Sequence, residues 1–240
     1  MHNIKVCAHR GASGTHPENT LAAFRQAIVL GCEMIEFDLR LSVDGQVVVM
    51  HDANVDRTTD GTGHIPDLTL KQLRALDAGS WHTDMFAGER IPTLAETLDS
   101  IPPSVELNIH VKEGSGHLII LETLEIELRS RSRLQGAFVS GSDELVTAAA
   151  VQHPQIQRCL LPGSRHKHLV ERAVHAGCCA IQPSARLTTS NFVQRAHTAG
   201  LRVHPYFADT DPEMRSLAAC GVDAILTNHP ARLLELRAQP

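Results

Sequence analysis

Short apolar runs alternate with helical patterns along the chain, and this alternation constrains the fold more than any other feature of the sequence. The predicted strands cover 4–8, 33–39, 47–50, 105–111, 137–140, 156–161, 179–182, 202–206 and 223–226. The predicted helices cover 20–30, 70–76, 94–100, 118–130, 143–151, 168–176, 189–199, 211–219 and 231–237. Several of these helices are followed by glycine, which is typical of a helix C-cap. Strands and helices at this spacing predict a parallel sheet with crossover helices.

A parallel sheet in a chain of 240 residues is usually an open doubly wound sheet or a (β/α)8 barrel. The fourth predicted strand favours the barrel, because one of its faces is apolar and the other carries Glu106, Asn108, His110 and Lys112. Helices cover both faces of a doubly wound sheet, whereas inward positions near the mouth of a barrel carry functional groups. No GxGxxG motif follows the first strand, as a dinucleotide-binding sheet would require. We therefore predict an α/β fold, a TIM barrel that forms a single domain over 1–240.

Two alternatives describe how the second and third strands connect. Asp44-Gly45 is typical of a two-residue hairpin loop, which would place Asp38 opposite His51. If the chain instead crosses over without a helix, both residues still reach the same end of the sheet. Either connection predicts that the carboxylate and the imidazole come together.

A second interruption covers 53–92, a segment rich in Thr, Asp and Gly with one short helical pattern and Trp81, the single tryptophan of the chain. Its position after the third strand predicts a small insertion at the active-site end of the barrel. We expect this segment to be an insertion or a lid at that end rather than a separate domain.

Composition limits the partners and the compartment. Hydrophobic residues make up 42% of the chain and the formal net charge is -5, a composition typical of a water-soluble globular protein that gives nucleic acid no basic surface to bind. The six cysteines form no CxxC pair, and their scatter through apolar segments predicts reduced thiols. The sequence shows no signal peptide and no membrane-spanning run. We expect a cytoplasmic protein with no stable membrane insertion.

Residues that could cleave a phosphodiester are concentrated at the ends of the first three strands. The cleavage needs a proton acceptor, a proton donor, a cation for the phosphate and usually a metal held by carboxylates. His9-Arg10, Glu36, Asp38 and His51 supply these groups. A Glu-x-Asp pair alone is more often a solvated edge, and a single histidine is more often structural. Their joint occurrence at strand ends favours a functional site.

The same residues lie in an ordered series of motifs that resembles the glycerophosphodiester phosphodiesterase family. The motifs are Ala-His-Arg-Gly-Ala (8–12), Pro-Glu-Asn-Thr (17–20), Ile-Glu-Phe-Asp-Leu-Arg (35–40), Asp-Gly (44–45), Val-Met-His-Asp (49–52), Asp-Arg-Thr-Thr-Asp-Gly-Thr-Gly (56–63), Ala-Gly-Ser-Trp (78–81) and Ile-Pro-Thr-Leu (91–94). The resemblance is dense over 8–112 and thinner toward the C-terminus.

The resemblance implies a (β/α)8 barrel with a small insertion after the third strand. It also implies hydrolysis of a small-molecule glycerophosphodiester to an alcohol and glycerol 3-phosphate. His9 and His51 would be the general acid–base pair, since an imidazole can both accept and donate a proton near neutral pH. Arg10 and Lys112 would hold the phosphate.

The implied cofactor is one divalent cation, commonly Mg²⁺ or Ca²⁺, with Glu36 and Asp38 as ligands. The family pattern on the fourth strand, Leu-Asn-Ile-Glu-Ile-Lys, supplies a third carboxylate, but this chain has His110 at that position. We expect His110 to be a metal ligand that shifts the preference toward Mn²⁺ or another transition metal such as Co²⁺ or Zn²⁺. The alternative is that the site has lost metal affinity and activity.

Two further departures lie near the C-terminus. The family's Trp-Thr-Val-Asn is replaced by Tyr-Phe-Ala-Asp at 206–209, and the family's Asp after Ile-Thr is replaced by Asn228. The first change predicts a different leaving alcohol, and the second a change next to the metal and histidine residues. Two other functions stay open: a related lyase that forms a cyclic phosphate, and a non-catalytic or weakly active phosphate-binding barrel.

Overall fold

The computed structural model describes residues 4–112, 114, 116–163 and 167–239. Its strands are β1 (Lys5–His9), β2 (Met34–Leu41), β3 (Val47–Val49), β4 (Glu106–Val111), β5 (Ala137–Gly141), β6 (Gln157–Leu160), β7 (Ala180–Ile181), β8 (Arg202–Val203) and β9 (Ala224–Thr227). Its α-helices are α1 (Leu21–Leu30), α2 (Leu70–Ala75), α3 (Leu94–Ser100), α4 (His117–Ser130), α5 (Asp143–Gln152), α6 (Leu169–His175), α7 (Ser190–Thr198), α8 (Asp211–Ala219) and α9 (Pro230–Ala238). None of the helices in the described ranges is long and apolar enough to cross a bilayer.

Eight of the strands form a parallel barrel in the order β8-β7-β6-β5-β4-β2-β1-β9. The two end strands approach each other, because Asp223 N–H donates to Val203 O at 3.0 Å and Leu226 N–H donates to Pro205 O at 3.1 Å. The barrel is therefore nearly closed, and the prediction of a TIM barrel is confirmed. We call the end where the parallel strands finish the mouth.

Apolar side chains fill two separate layers of the barrel. The outer core joins outward-facing strand residues such as Ile35, Leu107 and Val139 to the surrounding helices. The inner core is smaller and consists of Cys7, Met34, Phe138, Cys159, Ala180, Ala224 and Leu226. Because the inner core fills the lower and middle barrel, the inward positions nearer the mouth are left for polar side chains.

The ends of α1 show why the sequence pattern located the helices well. The Thr20 hydroxyl accepts from Ala23 N–H at 3.3 Å, which satisfies one of the free donors at the helix N-terminus. Gly31 follows the last turn with a φ of 85°, a conformation that avoids a Cβ clash only in glycine. Thr20 is also the last residue of the Pro-Glu-Asn-Thr motif, so the cap ties that motif to α1.

The β2–β3 hairpin differs from the predicted two-residue loop. Leu41 pairs with Val47, and Ser42 N–H donates to Gln46 O at 3.0 Å, so the loop consists of the three residues between Ser42 and Gln46. Gly45 N–H donates to Ser42 O at 3.1 Å within this loop. Its last residue, Gly45, has a φ of 74°, as in a type I turn closed by a left-handed glycine. The register therefore shifts by one residue, and the prediction that Asp38 faces His51 is wrong. Asp38 O instead accepts from Met50 N–H at 3.0 Å.

The segment 53–92 lies between β3 and α3 and contains α2 and two short 3₁₀ turns. Its apolar side chains pack with β3 rather than with the barrel. This third cluster consists of Val48, Met50, Val55, Ile65, Leu73, Ala78 and Ile91. The segment is thus attached to the barrel through the antiparallel strand β3.

Candidate active site

A sharp turn at the end of β1 places His9 and Arg10 at the mouth. Arg10 and Gly11 have positive φ angles of 56° and 79°, and such a conformation is strained for arginine. The turn directs Arg10 N–H to Glu36 Oε2 at 3.0 Å. A Cβ at Gly11 would lie 2.6 Å from the backbone of Ala23, so the close approach to α1 requires glycine here.

Glu36 and Asp38 are alternate residues of β2, and alternate residues of a strand share one face. The parallel register pairs Glu36 with His9 on one neighbouring strand and Asp38 with His110 on the other. Both carboxylates are buried, with exposed fractions of 2% and 0%. Phe37, between them, faces the outer core. The strand pairing therefore brings two carboxylates and two imidazoles to one level of the mouth.

Glu36, Asp38 and His110 fit a divalent cation. Each offers one ligand atom, and these atoms lie within 4.8 Å of one another. A set of two carboxylates and one imidazole suits Mn²⁺, Fe²⁺, Co²⁺ or Zn²⁺ and is less typical of Mg²⁺ or Ca²⁺, which prefer oxygen ligands only. The three residues could hold one such ion at the centre of the mouth.

Positive side chains surround this cluster. Lys112 Nζ lies 3.0 Å from Asp38 Oδ1, and Arg10 Nε lies 3.3 Å from Asp38 Oδ2. Asn19 also donates from Nδ2 to Asp38 Oδ2 at 2.8 Å, and its φ of 58° turns the side chain toward β2. The carboxyl groups of Glu36 and Asp38 therefore lie beside two basic side chains, Arg10 and Lys112.

Burial and neighbouring charges shift the pKa values of the two carboxyl groups in opposite directions. Burial alone would raise the pKa of Asp38, but the contact with His110 and the charge of Lys112 outweigh it and hold this pKa well below its ordinary value. Burial and the negative charge of Asp38 raise the pKa of Glu36 to about 8. A cation beside Glu36 would favour its ionised form.

His51 reaches the mouth from outside the barrel, just beyond β3. Arg40 of β2 holds its backbone carbonyl, with Nε at 2.9 Å and Nη2 at 2.6 Å from His51 O. The ring is oriented by Asp52, whose Oδ1 lies 2.6 Å from His51 Nδ1. Because a carboxylate only accepts hydrogen bonds, Nδ1 carries the proton and Nε2 is left for the mouth. Burial lowers the pKa of His51, and the negative charge of Asp38 opposes this shift.

Arg57 connects the segment 53–92 to both halves of the site. Its Nε donates to Asp52 Oδ2 at 2.6 Å, and its Nη2 donates to Glu18 Oε1 at 2.7 Å. The same Glu18 oxygen accepts from Arg10 Nη1 at 2.7 Å. The hydrogen bonds to Arg57 and His51 lower the pKa of Asp52 to about 2. A continuous chain of hydrogen bonds thus runs from the β1 turn to His51.

His9 is enclosed on two sides. Its Nδ1 lies 2.7 Å from Asn228 Oδ1, and its ring lies against Phe207 with 4.2 Å between ring centroids. Burial lowers the pKa of His9 to about 4, and the positive charge of Arg10 acts in the same direction. The ring is therefore neutral at neutral pH, with Nε2 3.9 Å from Glu36 Oε2.

A cavity of about 870 Å³ opens beside Lys112. Its walls include the side chains of Leu118 and Ile119 from α4 and of Leu161 and Pro162 after β6. Leu118 and Ile119 are 41% and 48% exposed, so the cavity offers apolar surface next to the charged cluster.

Six of the seven residues proposed from the sequence are joined by direct contacts, one of which is made by the backbone N–H of Arg10. They are His9, Arg10, Glu36, Asp38, His110 and Lys112. His51 shares no hydrogen bond or ion pair with these six within the described part of the chain. It is linked to them through Asp52, Arg57 and Glu18. The charges of Asp38 and Lys112 are nevertheless close enough to act on its pKa.

Comparison with known proteins agrees with this geometry. The sequence matches the Glycerophosphoryl diester phosphodiesterase family over residues 9–232. The chain belongs to this family. It is therefore an enzyme of the phosphoric diester hydrolase class, and the family is generally dependent on a divalent metal.

Individual family members align over nearly their whole length. YhdW of Bacillus subtilis (strain 168) is 35% identical over an alignment of 237 residues that covers 94% of each chain. The glycerophosphodiester phosphodiesterase of Caldanaerobacter subterraneus subsp. tengcongensis is 33% identical over 242 residues and covers 96% of each chain. An Oleispira antarctica phosphodiesterase, solved in complex with the product sn-glycerol-3-phosphate, superposes with a TM-score of 0.88 at 29% identity, over 96% of this chain and 95% of the other.

Several residues that contact the candidate site were not proposed individually from the sequence. Glu18, Asn19, Asp52 and Arg57 all lie inside the quoted motifs, and that position was the signal that could have singled them out. Asp209 stood out only as the last residue of the changed motif at 206–209, and its contact with Asn228 was not predicted, because 19 positions separate the two residues.

Proposed function

We propose that this chain hydrolyses glycerophosphodiesters to an alcohol and glycerol 3-phosphate, with His9 and His51 as the general acid–base pair. One observation carries the proposal: an imidazole, two neighbouring carboxyl groups and two basic side chains meet at one barrel mouth. The product named in the Oleispira antarctica structure supports glycerol 3-phosphate as a product here.

The two histidines would move the protons. Each has its Nδ1 held by a side chain, Asn228 for His9 and Asp52 for His51, so each presents Nε2 to the mouth. One ring would take a proton from the attacking nucleophile, and the other would give a proton to the departing alkoxide. Fixed rings need no reorganisation during the reaction, which lowers the barrier.

Arg10 and Lys112 would hold the phosphate. The guanidinium suits planar, two-point contact with phosphate oxygens, and the ammonium supplies a compact charge from the opposite side of Asp38. Both side chains are largely buried, with exposed fractions of 14% and 11%. Their charge is therefore weakly screened, and they would stabilise the negative charge that builds on the transferring group.

Glu36, Asp38 and His110 would hold the cation. When bound, the cation would supply positive charge that polarises the phosphoryl oxygens. With His110 in place of a third carboxylate, we propose a preference for Mn²⁺ or another transition metal over Mg²⁺ and Ca²⁺. The apolar cavity beside Lys112 is where we place the alcohol part of the diester.

A panel of metals and substrates tests this function. Purified protein, stripped with a chelator, is assayed with Mg²⁺, Ca²⁺, Mn²⁺ or Zn²⁺ against glycerophosphocholine, glycerophosphoethanolamine and a chromogenic diester, and products are followed by ³¹P NMR. Release of glycerol 3-phosphate that depends on added metal is the expected result. A cyclic phosphate would identify the lyase reaction instead, and binding without turnover under every metal would identify a phosphate-binding barrel.

A further inference from the structure

The Nδ1 side of His9 is held by two side chains in series. His9 Nδ1 lies 2.7 Å from Asn228 Oδ1, and Asn228 Nδ2 donates to Asp209 Oδ2 at 2.6 Å. Asp209 comes from the connection between β8 and α8, and Asn228 follows β9. The loops that follow β8 and β9 thus meet at the Nδ1 side of the imidazole.

The Asp209 carboxylate determines which way the Asn228 amide faces. Besides the amide, it accepts from Asn228 N–H at 2.8 Å and from the Thr227 hydroxyl at 2.9 Å, so its own position is fixed. A carboxylate oxygen only accepts, and a reversed amide would place two oxygen atoms 2.6 Å apart without a proton between them. The amide oxygen therefore faces His9, and His9 must donate to it from Nδ1.

We propose that Asp209 is a positioning residue that acts through Asn228 to hold His9 in its Nδ1–H tautomer. The bare Nε2 then faces the mouth, 3.9 Å from Glu36 Oε2, where the reaction needs a proton acceptor. Phe207, whose ring packs against the imidazole at an interplanar angle of 43°, limits the rotation of the imidazole. The catalytic consequence rests on the proposed role of His9, whereas the tautomer can be measured separately.

The pair is exchanged relative to the family pattern described above. That pattern has an amide at position 209 and a carboxylate at position 228, whereas this chain has Asp209 and Asn228. Either arrangement supplies one acceptor to His9 Nδ1 and one amide–carboxylate hydrogen bond behind it. Either single exchange breaks this arrangement. Asp209→Asn leaves two amides facing each other, so the orientation of the Asn228 amide is no longer fixed, and Asn228→Asp leaves two carboxylates facing each other.

The test combines ¹⁵N NMR of the histidine rings with kinetics on the full chain. Protein labelled with [¹⁵N]histidine is prepared as wild type, Asp209→Asn, Asn228→Asp and the double exchange, and His9→Gln assigns the His9 signals. We expect the Nδ1–H tautomer in wild type, mixed tautomers in Asp209→Asn, and a return of the Nδ1–H tautomer in the double exchange. The Asn228→Asp variant is expected to fall in activity because two carboxylates then face each other.

The kinetic arm follows the same variants. We expect kcat to fall about ten- to a hundredfold in each single variant, the range for loss of a residue that orients a functional side chain, and to recover within a few-fold in the double exchange. Asp211→Asn is the matched control, because Asp211 lies two positions away and pairs with Arg232 on the surface. It is expected to leave both the tautomer and kcat unchanged.

The outcomes separate the two proposals. An unchanged Nδ1–H tautomer in Asp209→Asn, or a double exchange no better than the single variants, overturns the positioning role. Mixed tautomers with an unchanged kcat would leave Asp209 as the residue that orients His9 and would instead remove His9 from the proposed mechanism.

Discussion

Lys112 Nζ lies 3.0 Å from Asp38 Oδ1, so a cation proposed to hold phosphate neutralises a carboxylate proposed to hold the metal. Substrate and metal therefore compete for, or share, the same small group of charges.

Replacing Lys112 by methionine should affect the metal and the substrate in opposite ways. The metal should bind more tightly because the competing ammonium is gone, whereas KM for a diester should rise about ten- to a hundredfold with the loss of a charged hydrogen bond. Isothermal titration with Mn²⁺ and steady-state kinetics measure the two effects. Lys5→Met is the matched control, because Lys5 pairs with Glu106 at the opposite end of the barrel; equal changes in both variants would contradict the prediction.

Removal of either proposed acid–base group should reduce turnover far more than binding. We expect His9→Ala and His51→Ala to lower kcat by ~10²–10⁴, the usual contribution of such groups. His197→Ala serves as control, since His197 pairs with Asp223 at the end of the barrel away from the mouth. Near-normal kcat in either variant, with substrate binding intact, would exclude that histidine from proton transfer.

Position 110 should set the choice of metal. His110→Glu restores a third carboxylate, so its activity should shift from Mn²⁺ toward Mg²⁺ and Ca²⁺. His110→Gln, which has neither an imidazole nor a carboxylate at this position, should bind every metal more weakly. The ratio of Mn²⁺ to Mg²⁺ activity and the Mn²⁺ EPR signal report the change. The same metal preference in wild type and His110→Glu would show that His110 is not a ligand.

Replacing Arg57 should lower kcat while changing the free energy of unfolding little. Its guanidinium is 46% exposed, and exposed ion pairs contribute only about 0–1 kcal/mol to folding. Arg57→Ala should nevertheless lower kcat about tenfold, because Asp52 loses the partner that orients it toward His51. Arg195→Ala removes a comparable surface pair with Glu171 and should leave kcat unchanged. A fall in Tm without a fall in kcat for Arg57→Ala would assign the residue to stability alone.

His204 should make the fold less stable in mild acid. It is buried against Phe138, and burial together with the charge of Arg202 lowers its pKa to about 3. Between about pH 6.5 and pH 3 the unfolded chain binds a proton that the folded chain does not, so the free energy of unfolding falls as pH falls, by up to about 1.4 kcal/mol per pH unit from this group. Above pH 6.5 the ring is neutral in both states and contributes no slope.

Urea unfolding at pH 7, 6 and 5 measures this dependence. His204→Gln should show a shallower loss of stability than wild type over that range, whatever its absolute stability. His175→Gln, on the exposed end of α6, should keep the wild-type dependence. Parallel curves for wild type and His204→Gln would show that His204 is not the group responsible.

The arrangement of strands and helices was predictable because each element carries its own local signal. Alternate polar residues on β4 indicated the barrel interior, and glycines such as Gly31 marked helix ends within one residue. The hairpin register was not predictable from Asp44-Gly45 alone. The Ser42 hydroxyl accepts from Gln46 N–H at 2.9 Å, and this contact favours the three-residue loop over the shorter one.

The site was predictable where neighbouring strands carry its residues in register, as with Glu36, Asp38 and His110. It was less predictable where the contacts join distant loops. The hydrogen bond from Arg57 to Glu18 spans 39 positions, and the contact of Asn228 with His9 spans 219. The spacing of apolar and polar residues along the sequence does not predict such a contact, because the contact depends on how the closed barrel brings its loops together.

The strand that carries His51 to the mouth is not one of the eight that close the barrel. It is an antiparallel addition to the side of β2, with its own apolar cluster. Val47 and Val49 of this strand pack into the outer core of the barrel, while Val48 packs with the segment 53–92. One of the two proposed proton-transfer histidines therefore ends a strand of the barrel wall, while the other follows a hairpin strand outside that wall, so the spacing between the two rings depends on how the hairpin is anchored to β2.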